Sequence, residues 1–424
     1  MTINIARVLS FVFLLNIFRL YPSFLPGSIG IFFGGRIIDI LVVSILFTLM
    51  LLKSSKIKFE DFSIFLGMPI FIISIFYGIS LFSGISMGYS FSTFSMVEFF
   101  RYTLTGVIGL AFLTFGNHIK DSFINKFWIY AIVLNLLFNV CLLFLPGFQS
   151  FADILISSKT KLSVLDSGLS SSSYILRSSG LFINPNWAGL FYNIALVYFL
   201  FSSKDILQMN NWGRSILILF TLICIFMTGS RTAIVLFLAV ISIYFFLRFK
   251  IMSIIFITFF YFIIETIALD PSSWTFLPVH YRSLLSAIFI YGDLSTIASF
   301  DDRLELWKSI FENYILLRPS LGFGVTDSIG IADNQYLWML ASYGYIGTSI
   351  IFFYLISLLS IMFFIPNTKP SNTFYRRFTY ISFILFLIAG LTGQFLNVTQ
   401  LFFLWFMIFG IYLSRTRIDA RDIK

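Results

Sequence analysis

The stretch FTLICIFMTGSRTAIVLFLAVISIYFF, residues 220–246, decides the fold. Between Arg214 and Arg248 its Arg231 is the sole charged residue. As one helix, residues 215–247 would be about 50 Å long, because a helix rises about 1.5 Å per residue, whereas the apolar core of a bilayer is about 30 Å thick. The stretch therefore predicts two apolar helices that form a hairpin, with its turn at residues 228–230 and Arg231 at the tip.

The composition of the whole chain is that of a membrane protein. Of its 424 residues, 58% are hydrophobic and 11% are charged, whereas soluble domains carry about 25% charged residues. The sequence predicts an all-α polytopic membrane protein, a single integral membrane domain over residues 1–424, with about twelve transmembrane helices of about 20 residues each. We place them near 5–21, 36–52, 62–82, 101–116, 123–145, 186–202, 214–229, 231–248, 251–269, 335–364, 375–395 and 397–414.

Basic residues recur between alternate apolar runs, and this pattern predicts which side of the membrane each loop faces. Because Lys and Arg collect in cytoplasmic loops, both termini are predicted to be cytoplasmic. The formal net charge of +9 then reflects topology, and no nucleic-acid partner is predicted. The basic residues placed on the cytoplasmic side are Arg7, Lys53, Lys56, Lys58, Lys120, Lys126, Lys204, Arg214, Arg248, Lys250, Lys369, Arg376, Arg377, Arg415, Arg417, Arg421 and Lys424.

Two long loops fall on the opposite, outer side of the membrane, at residues 146–185 and 270–334. The second contains DDRLELWKSIFENYILL, residues 301–317, in which Leu304, Trp307, Phe311 and Tyr314 form one helical stripe. Asp302 and Glu305 resemble a capping box at the start of this helix. The pattern predicts an amphipathic helix that either lies on the outer membrane surface or packs on the helical bundle.

Four arginines are predicted on the outer side: Arg177, Arg231, Arg282 and Arg303. A guanidinium carries a permanent charge and a fork of donors that matches phosphate oxygens. For each arginine the alternative is a solvated side chain that extends to the membrane surface. Arg303 is placed in a first helical turn, where its charge opposes the helix dipole, and this mild penalty favours a functional role.

The segment LGFGVTDSIGIADNQYLWMLASYGYIG, residues 321–347, contains a carboxylate at the predicted outer mouth of the bundle. Asp333 is expected to cap the next helix, to place a functional carboxylate near the arginines, or to do both. The Gly322–Gly324 pair lacks the third glycine and the lysine of nucleotide-binding loops. No His, Cys or Asp cluster has metal-ligand spacing and no D-x-D motif occurs, so no metal or cofactor is predicted.

Four motifs in order carry a family resemblance: RSSGLFINPNWAG (177–189), GSRTA (229–233), DDRLELW (301–307), and GFG followed by ADNQYLWMLASYGYIG (322–347). The chain resembles the bacterial O-antigen polymerase and O-antigen ligase superfamily, integral-membrane glycosyltransferases of the C class. The topology agrees over the whole length, whereas the motifs cover residues 177–347.

The resemblance implies a location in the bacterial inner membrane with periplasmic outer loops, a substrate and site residues. The substrates would be undecaprenyl-pyrophosphate-linked oligosaccharide repeats at the periplasmic face, with a chain-length regulator protein as a partner. Arg231 and Arg303 would bind the pyrophosphate. The attacking hydroxyl of the acceptor must lose a proton, and a carboxylate such as Asp333 could accept it. The ligase branch has a histidine where this chain has Asp333 before Asn334, which favours a polymerase. The substrate-binding set is completed by Arg177, Arg282, Asn186, Asn334 and Tyr336.

Other functions remain open at this point. An O-antigen ligase, or a polymerase of capsule or exopolysaccharide, would use the same kind of donor. A flippase or transporter of lipid-linked sugars is a further alternative, although transporters tend to carry polar groups at mid-membrane. In this chain most charges are predicted at the ends of helices, apart from Asp39 and Glu265.

Overall fold

Apolar helices dominate the computed structural model of the chain. Four of them are long and apolar enough to cross a membrane among the residues that the structure describes: Phe59–Ser86, Asp121–Leu142, Arg231–Phe249 and Gln335–Phe364. The described residues are 8–9, 44–52, 57–88, 93–145, 148, 162–164, 176–178, 180, 182, 184–249, 258, 262, 298–324, 334–364, 370–393 and 399–422.

The longer described helices are numbered in chain order. They are α1 (Phe59–Ser86, with a π-helical turn at Ser63–Gly67), α2 (Thr93–Phe115), α3 (Asp121–Phe144), α4 (Pro185–Phe201), α5 (Asn211–Met227), α6 (Arg231–Phe249), α7 (Ala298–Ile310), α8 (Gln335–Phe364), α9 (Pro370–Gly390) and α10 (Thr399–Asp422). Between α3 and α4, strand β1 (Leu162–Val164) pairs antiparallel with β2 (Leu176–Ser178).

The predicted helices from 62–82 onward coincide with observed helices, apart from 251–269. The predicted helix 36–52 is described and helical from residue 44, whereas 5–21 and 251–269 lie almost entirely outside the described residues. The hairpin turn is also confirmed, because α5 ends at Met227 and α6 begins at Arg231. A small polar turn between two apolar runs breaks the helix where the sequence predicts it.

Two predictions about helix starts are wrong. Helix α7 begins at Ala298, so Asp302 and Glu305 lie inside it and form no capping box. Arg303 is consequently the sixth residue of α7, beyond the first turn, and the dipole argument for it fails. Helix α8 begins after Asn334, whose Oδ1 accepts hydrogen bonds from the backbone N–H groups of Tyr336 (2.9 Å) and Leu337 (3.2 Å). Asn334, not Asp333, is therefore its N-cap.

The chain divides into two compact units. The first comprises Met1–Arg19, Phe32–Asn125 and Trp307–Lys424, and the second comprises Leu20–Ile31 and Lys126–Leu306. In the first unit α10 packs along α2, where an added Cβ on Gly410 would lie 2.8 Å from the Cβ of Phe112. This close approach buries much of the apolar face of α10, which holds the unit together.

An ion pair and its neighbouring hydrogen bonds connect three helices at one end of the first unit. Nη1 of Arg415 in α10 lies 2.5 Å from Oδ1 of Asp121, and its Nη2 donates to the carbonyl of Ile119. The Tyr375 hydroxyl of α9 also donates to Asp121, at 2.6 Å, and the Arg415 guanidinium covers the Tyr375 ring. These contacts join the starts of α3 and α9 to the end of α10.

Candidate functional site

The turn between α5 and α6 lies beside the start of α4, all within the second unit. The Ser230 hydroxyl donates to Oδ1 of Asn186 at 2.6 Å. Further along, Nδ2 of Asn193 donates to the carbonyl of Ala233 at 2.9 Å. Two of the four family-like motifs therefore meet in space, with the Asn186 side chain joined to the residue that precedes Arg231.

The direction of the three helices follows from contacts at their other end. The Arg214 guanidinium at the start of α5 donates from Nε and Nη2 to the carbonyls of Phe199 (2.8 Å) and Leu200 (2.5 Å) at the end of α4. The rings of Phe201 in α4 and Tyr244 in α6 also meet. Helices α4 and α6 are thus parallel and α5 is antiparallel to both, so two helix N-termini and the hairpin turn share one end.

Side-chain caps fix the backbone at this end. Asn184 is the N-cap of α4, because its Oδ1 accepts from the backbone N–H of Asn186 at 2.8 Å. Ser230 caps α6 in the same way, since its hydroxyl accepts from the N–H of Ala233 at 3.2 Å. The Thr228 hydroxyl accepts from the Ser230 N–H at 3.2 Å. The turn residues Thr228 and Ser230 are fully buried, so the tip is rigid.

Arg231 is the first residue of α6 and is half-buried. It lies where the N-terminal ends of two parallel helices meet, and each helix start carries roughly half a positive charge. The guanidinium adds a full charge to the same end of the unit. Together these groups create a positive electrostatic potential that favours the binding of an anion such as a phosphate.

The segment before α4 also approaches this end. Strand β2, which contains Arg177, packs against α5. Gly180 adopts a positive φ of 57°, and an added Cβ there would lie 2.4 Å from the hydroxyl of Tyr192. That hydroxyl donates to Oδ1 of Asn135 in α3 at 3.0 Å. The buried Asn135–Tyr192 pair therefore fixes the path of the segment that contains Arg177.

The remaining predicted residues lie on other elements. Arg303 is half-buried in α7 of the second unit. Asn334 and Tyr336 belong to the first unit, where the Tyr336 hydroxyl donates to the carbonyl of Leu387 in α9 at 2.5 Å. Asp333 and Arg282 lie outside the described residues. The structure thus brings Asn186 together with the turn that precedes Arg231, and it pairs Asn334 with Tyr336.

Sequence reasoning missed Ser230 and Asn193 as residues that position the site. Ser230 directly precedes Arg231, and a serine before a helix start is a common N-cap, so this signal was present. Asn193 lies inside an apolar helix, where a buried amide requires a partner. The sequence does not indicate that its partner is the carbonyl of Ala233.

No protein-family model matches this chain, and no curated protein matches it.

The close approach of α4 and α6 can be tested by moving one methyl group. A Cβ added to Gly189 would lie 2.4 Å from the Cβ of Ala233, so Gly189→Ala is expected to lower the free energy of unfolding by about 1–3 kcal/mol. The double variant Gly189→Ala/Ala233→Gly should recover most of this loss. Thermal unfolding of the purified protein in detergent measures both effects. Single-variant effects that simply add in the double variant would contradict the contact.

Proposed function

We propose that this protein is an O-antigen polymerase. It would transfer the growing glycan from undecaprenyl pyrophosphate to a sugar hydroxyl of the next lipid-linked repeat, at the periplasmic face of the bacterial inner membrane. The observation that carries the proposal is the hydrogen bond between Asn186 and Ser230. It joins two of the motifs on which the family resemblance rests, beside an arginine at the meeting point of two helix N-termini.

The chemistry of this proposal needs little beyond charge stabilisation and one base. The hydroxyl oxygen of the acceptor attacks the anomeric carbon of the donor, and a glycosidic bond forms as the bond to the pyrophosphate oxygen breaks. Arg231 and Arg303 would stabilise the negative charge that grows on the leaving pyrophosphate. The Asp333 carboxylate would accept the proton of the attacking hydroxyl. Arg177 and Asn186 would help to hold the donor.

The distribution of charge supports the proposed orientation. In the first unit, Asp121 and Arg415 lie at one end together with the start of α9, where Arg376 and Arg377 occur. The proposed substrate-binding residues Asn334 and Tyr336 lie at the opposite end, beside the end of α9. Since basic residues favour the cytoplasmic side, the Asn334 end would face the periplasm. The four helices that are long enough to span a membrane fit a multi-pass protein.

A strain that lacks the protein provides the primary test. We expect its lipopolysaccharide to carry a single repeat unit, because the polymer can no longer grow while ligation continues. Gel electrophoresis of lipopolysaccharide from the deletion strain and from a complemented strain measures this. A full ladder in the deletion strain would refute the proposal. Bare lipid core with accumulated long lipid-linked glycans would instead identify a ligase.

A second experiment separates catalysis from transport. The purified protein in detergent should elongate lipid-linked repeats, since detergent micelles offer no second compartment. Product length can be followed by mass spectrometry of the released glycans. Failure to elongate, combined with movement of lipid-linked repeats across a vesicle membrane, would identify a flippase.

A further inference from the structure

A cavity of about 390 Å³ opens at the end of α1 in the first unit. Apolar side chains and polar groups share its wall: Ile79, Phe82, Ser83, Ser86, Arg318 and Leu321. The cavity lies at the C-terminal end of a helix that is long enough to cross a membrane. Such an end is where phosphate groups of membrane lipids meet the protein, above their apolar chains.

Arg318 is held in this wall by one nitrogen. Its Nη1 donates to the backbone carbonyl of Ser83 at 3.3 Å and also to the Ser83 hydroxyl. The guanidinium carbon lies 6.0 Å from the centre of the Phe323 ring. Among the residues that the structure describes, Nε and Nη2 of Arg318 have no partner, and no carboxylate pairs with the side chain. The Nε–Nη2 edge is the edge with which an arginine binds a phosphate through two parallel hydrogen bonds.

Two other half-buried arginines, Arg214 and Arg415, differ from Arg318 in this respect. Arg214 uses its Nε and Nη2 for the carbonyls of Phe199 and Leu200. Arg415 is neutralised by Asp121. Arg214 therefore uses for the fold the two donors that Arg318 keeps available, and the charge of Arg415 is paired with a carboxylate. This contrast distinguishes Arg318 from a purely structural arginine.

The end of α1 does not need the remaining donors of Arg318. The carbonyl of Ser83 also accepts from the Ser86 hydroxyl at 2.7 Å. The carbonyls of Gly84 and Ile85 accept from the backbone N–H groups of Met87 and Gly88. Because these last carbonyls are satisfied, the free edge of Arg318 is not required to cap the helix.

The apolar part of the cavity continues along the outer face of α1. Phe82 is 76% exposed and Phe71 is 67% exposed, and Ile75 and Ile79 are exposed between them. In a membrane-spanning helix such a face contacts hydrocarbon chains. A ligand that places an anion on Arg318 and an apolar chain along this face would contact both the charged and the apolar part of the cavity wall.

We propose that Arg318 and the cavity at the end of α1 form a binding site for the phosphate of a membrane lipid. The phosphate occupies the Nε–Nη2 edge of Arg318, and the lipid chain lies along Ile79 and Phe82. A glycerophospholipid and a polyprenyl phosphate present the same chemistry to this site. The site does not depend on the polymerase function proposed above, because it would stabilise the protein in any membrane that contains such a lipid.

Four lipids in two matched pairs test the proposal on the purified full-length protein in detergent. Phosphatidylglycerol is compared with diacylglycerol, and undecaprenyl phosphate with undecaprenol. Native mass spectrometry measures binding, and the phosphate-bearing member of at least one pair should bind while its phosphate-free partner does not. The pair that binds identifies the source of the phosphate. Inorganic phosphate that competes as well as the lipids do would overturn the role of the apolar wall.

Variants assign the binding to this site. Arg318→Gln should weaken lipid binding about tenfold or more, because a charge-assisted pair of hydrogen bonds is lost, and Arg318→Lys should retain part of it. Ile79→Trp should block binding by filling the cavity with Arg318 intact. The control Arg214→Gln, which removes a structural arginine, should leave lipid affinity unchanged. Equal lipid affinity in Arg318→Gln and wild type would overturn the proposal and leave Arg318 a role in holding residues 319–324.

Discussion

Replacing Arg231 by alanine is expected to abolish long glycan chains while the protein still accumulates in the membrane. In the proposed reaction this guanidinium stabilises the charge that develops on the departing pyrophosphate. Loss of one preorganised donor to such a charge reduces a rate by about 10²–10³-fold. The readouts are the lipopolysaccharide ladder of a strain that carries the variant and the elongation rate of the purified protein.

Two comparisons separate this role from a structural one. Arg231→Lys keeps the charge but loses the two-pronged geometry, so it should retain a measurable part of the elongation rate. Arg214→Ala removes the arginine at the other end of the same hairpin, where it donates to Phe199 and Leu200. That variant should lower the unfolding temperature, yet each folded molecule should elongate at the wild-type rate.

Three other outcomes would change the role assigned to Arg231. An Arg231→Ala variant that is present at wild-type level and produces a normal ladder would exclude the pyrophosphate role of Arg231. The same ladder, together with single-repeat lipopolysaccharide in the deletion strain, would show that another residue performs this role. A loss of activity that follows the loss of folded protein in both arginine variants would reduce Arg231 to a structural residue.

The sequence predicts most of the helices of this chain, because each is a local event. A long apolar run must become a helix in hydrocarbon, and a small polar turn such as residues 228–230 ends it. The residue that caps a helix is harder to predict, because two adjacent residues can both be suitable caps. Asn334 rather than Asp333 caps α8 because its side chain reaches the N–H groups of Tyr336 and Leu337, and the sequence shows only that two suitable residues are adjacent.

The sites are less predictable because they depend on contacts between distant segments. The pairing of Asn186 with Ser230 requires α4 and α6 to be parallel neighbours, which hydrophobic patterns do not specify. In the sequence, Arg318 is one basic residue within a long predicted loop and is not among the predicted site residues. Its significance arises from Ser83, more than 200 residues earlier in the chain. The Arg-Pro pair that precedes a G-x-G segment was the available signal.

The break in α8 at Gly344 is the clearest case of a feature fixed by a distant segment. Gly344 has φ 63° and ψ −175° inside an otherwise continuous apolar helix. The carbonyls of Ala341 and Ser342 accept from the N–H groups of Phe323 (3.0 Å) and Gly324 (2.9 Å). On the other side, the N–H groups of residues 345 and 346 donate to the carbonyls of residues 319 and 320. Segment 319–324 thus replaces the hydrogen bonds that the helix loses.

Gly344→Ala is therefore expected to destabilise the protein, although alanine ordinarily stabilises a helix by about 1 kcal/mol relative to glycine. The backbone angles of Gly344 lie in a region that is essentially restricted to glycine, which costs another residue about 1–3 kcal/mol. An added Cβ would also lie 2.3 Å from the carbonyl oxygen of Ser320, a clash with backbone that no side-chain rotation relieves. We expect a loss of about 3 kcal/mol or more in the free energy of unfolding.

The matched control is Gly78→Ala in α1, another glycine of an apolar helix, where an added Cβ meets no atom within 4 Å. This variant should be neutral or slightly more stable than wild type in detergent unfolding experiments. A lower free energy of unfolding in Gly344→Ala, together with an unchanged or higher one in Gly78→Ala, would establish that segment 319–324 packs into the break at residue 344. Equal stability of Gly344→Ala and wild type would mean that α8 can close into a continuous helix. Segment 319–324 would then lose its backbone partners, and the placement of Arg318 beside Ser83 would have to be abandoned with it.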